Sequence, residues 1–320
     1  MMSRLLIKNF KSIKNLELDC KKVNVFIGEP NTGKSNILEA LGLLSCSYYS
    51  YYGPNIKDFI RMEDMTNIFF ERDISESVKV VLNDKALELK QGDGFFTQFY
   101  KDSPILKFNY AGDAISLYSL PEELSAFRFY RFKAARVFPE KRFSFLKPPS
   151  GENLLAILHI NKELRELVGE IFAKFGLKLV LKLFEGRLEP QKEIGGVAIA
   201  YPYDTTSDTL QRLVFHLCAI KTAKNSIIML EEPEAHAFPY YTKYLAELIA
   251  VDETNQYFIS THNPYFLLTV IEKAPKEATA PFLTYFEDFQ TKVKVLDHEK
   301  VLEMEADIFF NFDRMLEAFK

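Results

Sequence analysis

An α/β fold built around a phosphate-binding loop is predicted by three stretches of this 320-residue sequence. The first is Gly28-Glu29-Pro30-Asn31-Thr32-Gly33-Lys34-Ser35, which reads G-x-x-x-x-G-K-S. An apolar, β-branched run at 23–27 precedes it, the pattern of a buried strand, and good helix formers at 36–44 follow with helical apolar spacing. The second stretch is 226–234 (SIIMLEEPE) and the third 256–264 (QYFISTHNP), each a short apolar strand ending in polar or acidic residues. Strand, loop and helix in that order suit phosphate. Glycines turn the backbone so that its N–H groups point inward, and the helix N-terminus adds positive potential. Lys34 is placed to reach the β- and γ-phosphates and Ser35 to hold Mg²⁺, with Asn36 just behind. The stretch reads as a nucleoside triphosphate site.

Composition narrows the class. Nearly half the residues are apolar and about a quarter charged, as in an ordinary globular protein, and a net charge of −4 argues against wholesale nonspecific nucleic-acid binding. A local basic face remains compatible with it. Cys20, Cys46 and Cys218 are well separated, with no zinc spacing, and read as free thiols of a reducing compartment. Arg4, Lys8, Lys11 and Lys14 interrupt every early apolar run, so no signal peptide is expected. No run is long and apolar enough to span a bilayer, and a cytoplasmic location is expected.

In chain order, 5–10 and 16–20 read as two strands joined by a polar turn at 11–15. Tyr48, Tyr49, Tyr51 and Tyr52 form a cluster that can stack a base or line an interface, and reads first as a half-buried connector. Short alternating runs at 77–82, 86–90, 95–100, 105–110 and 114–120, separated by Asn/Asp/Gly turns, predict an antiparallel meander. Residues 127–136 (FRFYRFKAAR) interleave bases with aromatics. That fits a strand with one wet face first, and a single-stranded nucleic-acid surface second. Helices are expected at 152–160 and 162–175, strands at 177–184 and 195–201, then a helix at 265–271, strands at 281–286 and 291–296, and an amphipathic tail at 307–320. No heptad run suggests a coiled-coil arm.

The second half of the site lies at the ends of the later strands. Glu231 is the carboxylate that such a strand carries to the loop's edge, where it can hold Mg²⁺. Glu232 is placed to act as general base on water. His262, at the C-terminal edge of its strand, points to the crevice where α/β sheets bind ligands, within reach of a γ-phosphate or the water.

The loop at 28–35, LEEPEAH at 230–236, STHNP at 260–264 and the opening LIKNFKSI at 6–13 together resemble the ABC-type ATPase head, most nearly that of RecF and the OLD-family (overcoming lysogenization defect) ATPases, which are SMC-related. The resemblance spans essentially the whole chain. It implies a P-loop NTPase with a RecA-like core sheet, an antiparallel β layer and a helical lobe. The chain would then be one ABC-type domain over 1–320: lobe I at about 1–145, a helical and signature region at about 150–225, and a Walker B and His-loop core at about 226–320. It also implies ATP and Mg²⁺ as cofactors, ATP over GTP on the resemblance alone, and a homodimer or higher homo-oligomer in which the signature loop of one head completes the site of the other.

That loop falls at 203–212, where Ser207 is suited to N-cap a helix buried through Leu210, Leu213, Val214, Leu217 and Cys218. Its first N–H groups would then face the partner's nucleotide. Two departures stand out. The Ser-x-Gly signature is here Ser207-Asp208-Thr209, without glycine, and Glu231 replaces the usual Asp. No Q-loop glutamine can be assigned. The chain is also expected to lack the metal-dependent nuclease domain of the OLD nucleases.

Two functions are open, the first suggested by the resemblance and the second by the missing signature glycine and the expected lack of a nuclease domain. One is an ATPase that closes on ATP and opens after hydrolysis, in DNA maintenance or anti-phage defence, with DNA as a partner. The other is a regulatory scaffold that holds or sequesters a separately encoded effector and hydrolyses ATP slowly. A small-molecule kinase is a third, which the Glu232/His262 pair argues against.

Overall fold

The computed structural model describes residues 2–304; the tail expected at 307–320 lies outside them. The chain divides into two compact units. One comprises the described residues up to Phe129, Asn225–Glu232 and those from Ala246 onward; the other comprises Tyr130–Lys224 and Pro233–Leu245.

The first unit opens with an antiparallel hairpin of β1 (Arg4–Phe10) and β2 (Ile13–Asp19). Its turn is only Lys11-Ser12, shorter than the predicted 11–15, because Ile13 pairs with Phe10 and both are buried. Next, β3 (Val23–Ile27) is buried at all five positions and feeds the phosphate loop into α1 (Lys34–Tyr49). α1 outruns the predicted 36–44 because its later polar groups find partners. Ser47 Oγ donates to the Leu43 carbonyl at 2.7 Å, and Ser45 Oγ accepts from the Phe129 amide at 3.1 Å. The tyrosine cluster therefore splits. Tyr48 and Tyr49 belong to the core, their hydroxyls donating to Glu122 and to the Ser125 carbonyl, while Tyr51 is exposed.

After the short α2 (Ile56–Phe59) come β4 (Val78–Leu82), β5 (Lys85–Gly92), β6 (Phe95–Tyr100), β7 (Ser103–Phe108) and β8 (Ala114–Leu117). They are the predicted meander, and with the hairpin they make a seven-stranded antiparallel sheet ordered β2-β1-β4-β5-β6-β7-β8. The strand foreseen over 127–136 is only β9 (Phe127–Tyr130), and all four residues are buried. It has no wet face because it packs under α1: a Cβ on Gly42 would sit 3.3 Å from the Phe129 ring. Arg128 is buried with it, so the alternating basic surface does not form along this strand.

The second unit contains α3 (Leu154–Ile160), α4 (Lys162–Ala173), an antiparallel three-stranded sheet of β10 (Lys178–Lys182), β11 (Arg187–Ile194) and β12 (Val197–Ala200), and then α5 (Asp208–Thr222). Phe132 belongs here too, packed edge-on to Phe215 and under the Arg212 guanidinium, so its ring is engaged internally.

The chain returns to the first unit with β13 (Ile227–Glu231). After α6 (Pro239–Val251) come β14 (Gln256–Ser260), α7 (Pro264–Lys273), β15 (Thr279–Glu287), β16 (Gln290–Val295) and α8 (His298–Met304). The second sheet of this unit is ordered β16-β15-β3-β14-β13-β9. Its centre is parallel, with β3 between β15 and β14, and β14 beside β13. Such a sheet needs cover on both faces, which is why these strands read as largely apolar runs, buried at nearly every position, rather than alternating ones. The topology places the ends of β3, β13 and β14 along one edge. All three cysteines are free and buried, and burial pushes the thiols of Cys20 and Cys46 up to about 12, out of the reactive range. Among the described residues no helix is long and apolar enough to cross a membrane.

Candidate nucleotide site

The loop at 28–35 is shaped by two glycines at which a side chain would be strained and would meet neighbouring atoms. Gly28 has φ of +147°, and a Cβ there would lie 2.1 Å from the Thr284 carbonyl oxygen on β15. Gly33, at φ +99°, would place a Cβ 2.0 Å from Thr291 Oγ1. That hydroxyl ends a directed polar chain: Asn36 Nδ2 donates to Ser12 Oγ at 2.7 Å, Ser12 to Thr291 Oγ1 at 2.6 Å, and Thr291 to the Thr32 carbonyl at 3.0 Å. The Asn36 amide, expected beside nucleotide, is thus engaged in fixing the loop. Within the loop, Thr32 Oγ1 donates to the Glu29 carbonyl at 2.9 Å; Pro30 fixes the chain between Glu29 and Asn31, and Asn31 itself takes a positive φ of 63°.

Gly33→Ala is therefore expected to destabilise the protein by about 2 kcal/mol or more, combining left-handed strain with a steric clash. Adding Thr291→Ala should recover part of the loss in thermal denaturation, since the nearest atom would be gone. Losses that simply add would show the close approach to be irrelevant.

Lys34 is buried, and its ammonium caps the loop by donating to the Gly28 and Glu29 carbonyls at 2.9 and 2.7 Å. Burial draws its pKa down to about 8 against the opposing pull of Glu232 and Glu29. Ser35 follows in the first turn of α1.

Glu231 closes β13 in register with Ser260 of β14. Its carboxylate accepts a hydrogen bond from Arg61 Nη2. Glu232 sits in the left-handed region at φ +44°, its amide donating to the Ser260 carbonyl at 2.9 Å. Its Oε1 lies 3.6 Å from His262 Nε2, and both side chains are partly exposed. Burial, then the Lys34 charge, lower the His262 pKa below its ordinary value while Glu232 opposes them, so the imidazole is neutral at pH 7. Lys34, Glu232 and His262 are thus within electrostatic reach of one another. Asn263, next in the chain, caps α7 by accepting from the Phe266 amide.

The donor set suits a hard divalent cation. Ser35 offers a hydroxyl and Glu231 a carboxylate, both oxygen ligands. Across from Glu231, the buried Ser260 Oγ has no hydrogen-bond partner among the described residues. An orphaned hydroxyl beside a carboxylate is a polar group awaiting a water or an ion.

Ser207 belongs to the other unit. It holds the N-cap position of α5, but its hydroxyl makes no capping bond, contrary to expectation. Its backbone carbonyl instead accepts from Leu210 and Gln211, while Thr209 Oγ1 donates to the His236 carbonyl at 2.6 Å. Ser207 also stands on the wall of an apolar cavity of about 800 Å³ with Phe175, Tyr201, Phe238 and Tyr240, which holds no acid–base cluster.

Sequence reasoning missed Arg61, together with its supports Glu39 and Lys11. The one trace of them was a carboxylate, Glu39, in the otherwise apolar run of α1, where it is buried.

Comparison with known proteins bears on the family and the fold. The family model described as AAA ATPase domain (AAA_15) matches residues 1–193, more than half of the chain. An ATP/GTP phosphatase of Helicobacter pylori is 34% identical over 101 residues, covering 28% of this chain and 27% of that protein. The DNA replication and repair protein RecF of Listeria welshimeri is 41% identical over 63 residues, 19% of this chain and 17% of RecF. The matches thus span about a quarter or less of these relatives' length.

Two solved Smc heads share the fold. One, bound to the C-winged helix domain of ScpA, aligns at TM-score 0.58 and 16% identity over 94% of this chain and 99% of its own. The other, from Pyrococcus furiosus with an extended coiled coil and bound to the C-terminal domain of ScpA, aligns at TM-score 0.59 and 15% identity over 96% and 99%. The architecture is that of an ABC-type P-loop ATPase head of the RecF/SMC kind, as the motifs predict. With the family model covering most of its length, the chain belongs to the AAA ATPase domain family.

Proposed function

We propose that this protein binds ATP at the loop Gly28–Ser35, hydrolyses it, and closes with a second copy of itself while the nucleotide is bound. The observation that carries the reading is the Glu232–His262 pair, 3.6 Å apart at the ends of parallel strands and in the field of Lys34. Loop amides and Lys34 bind the phosphates. Glu232 takes the proton of the attacking water, and neutral His262 donates to the γ-phosphate or orients that water. Ser35 and Glu231 would hold Mg²⁺. When bound, such an ion neutralises charge on the phosphate oxygens. Ser207 and the first amides of α5 meet the partner's nucleotide, and the chain works as one ABC-type domain whose signature region lies in the second unit.

RecF is described as a DNA replication and repair protein, which supports a task in DNA maintenance. The resemblance to OLD-family ATPases supports anti-phage defence as the other setting, in the cytoplasm in either case.

A second reading is favoured by two features: the engagement of Glu231 by Arg61 and the missing signature glycine after Ser207. In it, ATP binding holds an assembly or sequesters an effector, and hydrolysis is slow.

The test is the solution mass of Glu232→Gln protein with and without ATP and Mg²⁺, beside Lys34→Ala. A doubling that needs ATP and is absent in Lys34→Ala is the expected result. A mass that ATP leaves unchanged would refute the two-headed site for this chain alone.

A further inference from the structure

Arg61 lies in an irregular segment after α2, yet it is held at three points. Its amide donates to Glu39 Oε1 at 3.2 Å, its carbonyl accepts from Lys11 Nζ at 2.6 Å, and its Nε stands 3.4 Å from Glu39. Glu39 is buried on α1 and also takes Lys11 Nζ, so its single charge is already balanced by a lysine. The remaining cation reaches outward: Arg61 Nη2 binds Glu231, the carboxylate at the C-terminal end of β13. Glu232 also acts on the guanidinium electrostatically. The Arg61 backbone is anchored by the buried Glu39 and by Lys11, while its side chain is 60% solvent-exposed, so the guanidinium has room to swing off Glu231.

We propose that Arg61 is a built-in counter-ion that occupies Glu231 in the nucleotide-free chain and must be displaced before a divalent cation binds there. A doubly charged ion beside the guanidinium would be repelled by it, and a carboxylate whose charge is already balanced by an arginine attracts a second cation less. Arg61 therefore keeps the acidic strand ends neutralised and weakly receptive to metal until ATP, with its own negative charge, arrives with Mg²⁺. Cation binding is thereby coupled to nucleotide binding. The inference rests on the proposed role of Glu231, but it concerns the chain without nucleotide and is read without turnover.

The experiment is Mn²⁺ binding to nucleotide-free protein, followed by the paramagnetic resonance signal of free Mn²⁺. Wild type should bind weakly. Arg61→Met should tighten binding by about tenfold or more, and Arg61→Gln should do the same, with both variants' folds checked by thermal denaturation. Arg61→Lys, which keeps the charge, should remain weak, and Arg61→Met combined with Glu231→Gln should lose the gain. Unchanged Mn²⁺ affinity in folded Arg61→Met and Arg61→Gln would overturn the proposal, as would a gain that survives Glu231→Gln. A wild-type chain that fails to bind ATP in calorimetry would instead count against the nucleotide site itself, leaving the Mn²⁺ result to be read separately.

Discussion

Replacing Glu232 by glutamine is expected to lower ATP turnover by roughly two to four orders of magnitude, the usual contribution of a positioned general base, while leaving ATP affinity nearly unchanged. The amide keeps the size of the side chain and its reach toward His262 but cannot take a proton. In the proposed site phosphate is held elsewhere, by the loop amides and Lys34, so binding should survive. The backbone supplies an independent readout. At φ +44° a glutamate is strained, and such strain persists only where the surroundings impose it, here through the hydrogen bond from its amide to the Ser260 carbonyl. Glu232→Asn, a residue that tolerates the left-handed region, should raise thermal stability by up to about 1 kcal/mol while abolishing turnover. Steady-state phosphate release and a melting curve on the two variants check both halves. Turnover within a few-fold of wild type in Glu232→Gln would remove the general-base role. A less stable Glu232→Asn would show that the strain is not stored there.

Why the loop and the parallel centre of the second sheet were legible is a matter of local chemistry. A five-residue run rich in β-branched residues and followed by glycine and helix formers has few structures open to it, and 23–27 became β3 with every residue buried. The meander was legible for the same kind of reason, since alternating runs between Asn/Asp/Gly turns pair with their neighbours.

What was not legible depended on distant partners. The extension of α1 through Ser45 and Ser47 needs the Phe129 amide and the Leu43 carbonyl, and no propensity scale contains those bonds. The burial of Arg128 and the loss of a wet face on β9 depend on α1 lying against Phe129 across Gly42. Ser207 has the residue type of a cap, yet its hydroxyl does not form one, because residue type fixes the capability and not the rotamer. The approach of Glu232 to His262 requires the register that sets Glu231 beside Ser260, a property of strand pairing between segments 29 positions apart. Arg61 carried no motif. Only the folded chain brings an arginine from an irregular segment onto a carboxylate 170 residues away.

Lys34→Ala should separate function from stability in the opposite sense to a core mutation. Lys34 is buried with its ammonium on two backbone carbonyls, and the fall of its pKa to about 8 says that the folded loop disfavours the charge. Removing it relieves the desolvation of the ammonium but leaves two carbonyls without that donor, and the two effects oppose each other, so stability should change by about 1 kcal/mol or less. ATP affinity should instead fall by about one to two orders of magnitude, the worth of one or two charge-assisted hydrogen bonds to phosphate. The same depressed pKa makes wild-type binding pH-dependent, and the sign follows from linkage. Phosphate raises the Lys34 pKa again, so the complex holds more protons than the free chain once the pH exceeds about 8. Affinity is then full below about pH 8 and declines as the pH rises above it, with proton uptake on binding. Calorimetric titrations in two buffers of different ionisation enthalpy, at about pH 7 and about pH 9, should show that uptake only at the higher value. Lys34→Ala should show none at either. A wild-type affinity flat across this range would mean that Lys34 stays charged in the free loop, and a large fall in the melting temperature of Lys34→Ala would mean that the ammonium holds the fold rather than waits for phosphate.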